Sequence, residues 1–144
     1  MDQQAAKVEE VYADAEAGVN AEQNVELAGY RLAGYYTGLE RVFEFIALRF
    51  DNSPIEGANW HTDLLLQMSL PMPGKRPPVI SVVTEQVLEE VLKFRHVMRS
   101  AYALELDLGQ IARLAPSFRT LVPRIRDELR AFADFLDRLN DESP

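Results

Sequence analysis

The chain has 144 residues, 47% of them hydrophobic, and no cysteine. That length suits one domain, 1–144, around one core, and the missing thiols exclude disulfides and thiolate metal centres. A formal net charge of −8 argues against non-specific binding of nucleic acid.

The acidity is uneven. Residues 1–72 hold 4 Lys+Arg against 12 Asp+Glu, whereas 73–144 hold 11 of each. Met1-Asp2-Gln3-Gln4 does not lead from a basic region into an apolar run, so no signal peptide is expected. No apolar run approaches the ~20 residues of a membrane span. With the absence of thiols, this suits a reducing, cytoplasmic setting without membrane association.

Residues 3–17 read as a helix, with Val8, Val11, Tyr12 and Ala15 apolar and Glu9, Glu10, Asp14 and Glu16 opposite; Gly18-Val19-Asn20 ends it. Residues 21–50 read as one long helix, in which Ala28, Leu32, Tyr35, Leu39, Val42, Phe43, Ile46 and Phe50 step by three or four. Gly29, Gly34 and Gly38 each cost about 1 kcal/mol in a helix interior. They fit close approach by another helix, either an internal neighbour or a second protomer. Asp51-Asn52-Ser53-Pro54 closes this helix. Asn59 reads as the N-cap of a short helix from Trp60 to Ser69, with Asp63 in its first turn. His61 reads as a structural residue of that turn, with a catalytic role as the alternative.

Pro71-Met72-Pro73-Gly74-Lys75-Arg76-Pro77-Pro78 cannot be helix, and Lys75 and Arg76 read as exposed loop charges, the alternative being contact with an RNA backbone. Ser81 caps the next helix, which runs to about Leu104. Asp107 caps a further turn from Leu108 to Ala115, which Pro116-Ser117 interrupts. A last helix reaches about Asn140 with Phe118, Leu121, Ile125, Leu129, Phe132, Leu136 and Leu139 inward, its first turns kinked or frayed by Pro123. No segment alternates with period two, so no strand is expected. The fold class is all-α: an up-and-down bundle of four principal helices plus short ones.

The densest group of chemically capable side chains lies between Lys93 and Asp107. At 100° per residue Arg95, Arg99 and Tyr102 share one stripe, with His96 and Ser100 on the adjacent one. Two guanidiniums beside a phenol can hold an oxyanion or a phosphate, with Lys93 adding local positive charge. The alternative for Arg95 and Arg99 is ion pairing with acidic residues of a neighbouring helix. For His96 it is one hydrogen bond in a partly buried setting, and for Tyr102 a core or interface aromatic. No Gly-rich phosphate loop, metal-ligand spacing or nucleophile elbow competes.

This stretch resembles the ribonuclease motif of the HEPN superfamily, and most closely its HepT-like branch, in which an Arg is followed by four residues, a His, one residue and a Tyr. Here the pattern falls on Arg95, Ser100 and Tyr102. The flanking blocks are similar too: Phe94-Arg95-His96 and Leu104-Glu105-Leu106-Asp107 around the motif, and Tyr36 to Glu44, Trp60-His61 through Leu65, and Arg76-Pro77-Pro78-Val79-Ile80-Ser81 upstream. The main departure is Ser100, which stands in the place of the motif His. The resemblance implies a toxin that cleaves RNA at a homodimer cleft without metal or cofactor, with Arg95 stabilising the phosphate and Tyr102 the target of AMP transfer by a cognate minimal nucleotidyltransferase antitoxin. A hydroxyl is no general base near neutral pH without one beside it. His96, one turn before Ser100, is the candidate for that base, with Arg99 and Lys93 as candidate phosphate contacts. Loss of a general acid or base typically costs 10²–10⁴-fold, so an attenuated nuclease is expected. The alternative is a catalytically silent module that binds nucleotide or RNA, or docks the nucleotidyltransferase.

Overall fold

The fold was analysed in a computed structural model. It describes residues 21–100 and 108–142 together with residues 3, 6, 7, 10, 11, 13, 14 and 18; of residues 21, 22, 99, 100, 108 and 115 only the backbone is described. Four helices are complete: α1 (Ala21–Arg49), α2 (Trp60–Ser69), α3 (Val82–Ser100) and α4 (Leu108–Asp141). The described residues between 3 and 14 are also helical, and Gly18, where that helix is expected to end, has φ +79°. The rest of 3–17 lies outside the described residues.

The architecture is the expected all-α bundle. The long helices alternate in direction. Phe94 near the end of α3 and Ile111 near the start of α4 both lie against Gly29 near the start of α1, and the pairs Tyr35–Phe118 and Phe50–Phe132 then follow α1 and α4 upward together. Short α2 runs in the same sense as α1, its first turn beside Glu40 and its last beside Asp51. Among the described residues α2 and α4 do not touch, while α1 and α3 each contact the other three. One core fills the bundle, with Tyr36, Phe43, Phe94, Phe118, Leu39 and Leu88 among its fully buried side chains. The apolar stripe expected on α1 is the one that is buried, with Val42 and Phe50 at its margin.

The helix ends follow from local chemistry. At the close of α1, Asp51 N–H donates to Ile46 O at 3.0 Å, a six-to-one bond, Asn52 takes φ 52°, and Ser53 N–H reaches back to Ala47 O at 2.9 Å; together these occupy the last carbonyls and end the helix. Ser81 Oγ accepts from Thr84 N–H at 3.2 Å and so caps α3. Asn59 makes no side-chain cap to α2; its φ of −105° and ψ of 19° differ from the extended backbone from which a cap reaches N2 or N3. Along 71–78 there is no helix, only an isolated bridge between Met72 and Arg76.

Two expectations fail for α4 and one for the loop. Pro116 does not interrupt the helix, since it and Pro123 both lie inside one continuous 34-residue helix. They are exposed and two turns apart, hence on one solvent face. The opposite face buries Ile111, Phe118, Leu121, Val122 and Ile125, and this packing overrides the local cost of proline. Leu139, expected inward, is 39% exposed. Arg76 is buried rather than a loop charge: its Nε and Nη2 donate to Asp51 Oδ1 and Oδ2 at 2.5 and 2.7 Å, and further donors reach the carbonyls of Gln67, Leu70 and Pro77. This pair ties the proline-rich loop to the ends of α1 and α2. Among the described residues no helix is long and apolar enough to cross a membrane.

Candidate functional site

Arg95 lies three turns into α3, on the side that faces α1 and α2. It is 3% exposed. Its Nη1 donates to Glu40 Oε1 at 3.0 Å and to Thr37 Oγ1 at 3.3 Å, and its Nη2 to Glu40 Oε2 at 3.3 Å. The guanidinium carbon stands 4.8 Å from the centre of the Tyr36 ring. Thr37, the next acceptor on α1, in turn donates its hydroxyl hydrogen bond to Ala33 O at 3.0 Å. Arg95 is therefore neutralised by a forked carboxylate pair inside the bundle. Burial first, and then the Glu40 charge, push the Tyr36 phenol above the usual range against the opposing pull of Arg95.

His61 completes the cluster from α2. Its Nδ1 is 2.6 Å from Glu40 Oε2 and 3.0 Å from Arg95 Nη2. A guanidinium only donates and a carboxylate only accepts. The short contact to the carboxylate therefore assigns a proton to Nδ1, donated to Glu40, and the Arg95 contact is two donors sharing one acceptor. The ring stacks on Trp60 at 3.6 Å between centroids, and its side chain retains 17% exposure. The His96 ring of α3 stands 5.2 Å from it, edge to face at 74°. The chain has two histidines, and here they touch.

The basic cluster expected around the motif is largely compensated. Lys93 is exposed and pairs with Glu90 at 3.1 Å and Glu89 at 3.3 Å. Its hydrogen bonds to Glu90 and then Glu89 hold the ammonium above its ordinary range. Of the other motif residues, the structure gives Arg99 and Ser100 a place in the last turn of α3, one turn beyond Arg95 and His96. Their side chains, and Tyr102 with the whole of 101–107, lie outside the described residues. Arg95 and His96 are thus brought together, with His61, at the α1–α2–α3 junction.

Sequence reasoning missed Glu40, Thr37 and the partnership of His61. A signal for Glu40 was present: it follows Leu39 and stands one turn after Tyr36 and less than one before Phe43, a charge inside an apolar stripe, where an unpaired carboxylate is unfavourable. His61 carried none in its spacing, because its partner is 21 residues away and across a turn. Among the described residues no group of three or more His, Asp or Glu could hold a metal ion.

No curated protein and no solved structure matches the chain. A protein-family profile described as "HepT-like protein" matches residues 27–136, which include all of α2 and α3 and most of α1 and α4. With that match over well more than half its length, the chain belongs to the HepT-like family.

Proposed function

We propose that this chain is a HEPN-type toxin ribonuclease, cleaving RNA in the cytoplasm without a metal and attenuated by Ser100 in the place of the motif His. The observation that carries this reading is the convergence of Arg95 with both histidines where three helices meet, in a chain of HepT-like descent. The burial of Arg95 assigns the guanidinium a role other than direct phosphate contact: its donors are on Glu40 and Thr37, and a phosphate would have to displace them. Attenuation then has two sources, a hydroxyl at 100 and a neutralised arginine at 95.

A homodimer belongs to the same reading. On α1, Leu27, Tyr30, Gly34, Gly38, Arg41, Phe45 and Leu48 fall on one face, and Tyr30, Phe45 and Leu48 are 55%, 65% and 54% exposed. Among the described residues a Cβ at Gly34 or Gly38 would meet nothing within 4 Å. That face has the apolar anchors and the bare centre that a second copy of the helix would use. In this reading Tyr102 is the position for AMP transfer by a minimal nucleotidyltransferase antitoxin, a modification that adds negative charge to the motif.

A second reading, a silent module that binds nucleotide or RNA or docks the nucleotidyltransferase, is favoured by the forked Arg95–Glu40 pair. Purified protein at high concentration, incubated with RNA in the presence of a chelator, separates the two. The nuclease reading expects slow cleavage that falls at least ~10²-fold in Arg95→Ala and rises in Ser100→His. No cleavage by the wild type leaves the silent module.

A further inference from the structure

We infer that His61 and His96 form the proton-transfer pair of this ribonuclease, with Glu40 and Arg95 acting as positioning residues. The inference rests on the nuclease reading above and names its catalytic groups. Three observations lead to it. The rings are 5.2 Å apart and belong to different helices, so tertiary structure and not sequence adjacency brings them together. Glu40 takes the Nδ1 proton of His61 at 2.6 Å, which fixes the tautomer with the lone pair of the neutral ring on Nε2. Among the described residues Nε2 has no hydrogen-bond partner, and the side chain reaches solvent. His96 is exposed beside it.

The surroundings define the pair's electrostatics. From α1, the Glu40 carboxylate and the Tyr36 phenol face it; from α3, Arg95 faces it; from α2, Trp60 covers one face of the His61 ring. Arg95 donates to both carboxylate oxygens of Glu40 and locks its rotamer, which keeps Oε2 against His61 Nδ1. This network holds an acid–base group at the end of a helix without placing the arginine on the substrate.

The reaction is an internal transesterification. His61 Nε2 accepts the proton of a ribose 2′-hydroxyl while O2′ forms its bond to the adjacent phosphorus. The bond from phosphorus to O5′ of the next nucleotide breaks, and His96, entering protonated, gives its proton to that leaving oxygen. The products are a 2′,3′-cyclic phosphate and a 5′-hydroxyl. One proton has moved onto His61 and one off His96, and exchange with water restores both. No metal, oxidant or further reactant enters.

The test uses the full chain and a short RNA with a quenched fluorophore. His61→Gln retains an amide donor for Glu40, and His96→Gln is the matching change on α3. Each is expected to cleave ~10²–10⁴-fold more slowly while keeping the wild-type melting temperature and helical circular dichroism. His61→Ala is expected to recover part of its activity when free imidazole is added, which a purely structural histidine would not show. The end group should be a cyclic phosphate by mass spectrometry. Wild-type rates in His61→Gln, or activity lost in His61→Ala without imidazole rescue, overturn this assignment and leave the nuclease reading standing if Arg95→Ala is still impaired. No cleavage by the wild type overturns both.

Discussion

Glu40 is one carboxylate serving two cationic or potentially cationic partners, Arg95 through both oxygens and His61 through one. Removing its charge leaves a guanidinium 3% exposed with no counter-ion. Glu40→Gln is therefore expected to destabilise the fold by about 3–5 kcal/mol, the cost of breaking a buried pair from one side, read as a lower urea midpoint with an unchanged slope. Glu40→Gln together with Arg95→Met removes both charges and should recover most of that loss, because the desolvation of two ions disappears with them. The sequence made half of this visible. Arg95 stood out by its motif, and an ion pair to a neighbouring helix was one of its two readings. The identity of the acid was hidden, since 55 residues separate the partners and only the packing of α3 on α1 brings them to 3.0 Å.

At the scale of elements, periodicity carried most of the information. The buried face of α1, the break at 51–54, the capping of α3 by Ser81 and the absence of helix along 71–78 all follow from spacing and side-chain chemistry. The exceptions share a cause, which is that tertiary burial outweighs local propensity. Pro116 sits inside α4 because five large side chains on the opposite face are packed. Pro116→Ala restores the backbone donor that proline lacks and relieves the ring crowding, and is expected to raise stability by up to ~3 kcal/mol, seen as a higher melting temperature. Gly29 behaves in the opposite way. A Cβ there would lie 2.8 Å from Ile111 Cδ1 and 3.1 Å from Phe94 Cζ, so Gly29→Ala is expected to lower stability by about 1–3 kcal/mol from overpacking despite its better helix propensity. Of the three α1 glycines only this one meets an internal neighbour among the described residues, a distinction that their common helical setting could not reveal in advance.

At the scale of the molecule, the Asp51–Arg76 pair fastens the proline-rich loop to the bundle with both side chains fully buried. Burial alone pushes the Asp51 carboxyl up, but the hydrogen bonds from Arg76 and Gln67 and the Arg76 charge outweigh it and hold the group below the usual carboxylate range. The folded pKa is thus lower than the unfolded one, so the stabilisation is fully present above about pH 4 and is lost as pH falls toward the folded value. Asp51→Asn is expected to flatten the acid limb of a stability-against-pH curve relative to wild type. The apolar face of α1 makes a separate prediction: Phe45→Asp should shift a dimer to monomer by light scattering without changing helical content, since Phe45 is 65% exposed in the single chain. The all-α class was legible in the period of the apolar residues. How the helix faces meet, and therefore which charges are hidden, was not, because no local pattern encodes a contact between helices.

The ring packed on His61 belongs to Trp60, and the chain has one tryptophan. Its ultraviolet emission therefore reports on this spot alone, with no background from other indoles. Emission intensity recorded with and without a short RNA would thus register, with no label attached, whether a polyanion arrives where the first turn of α2 meets α3.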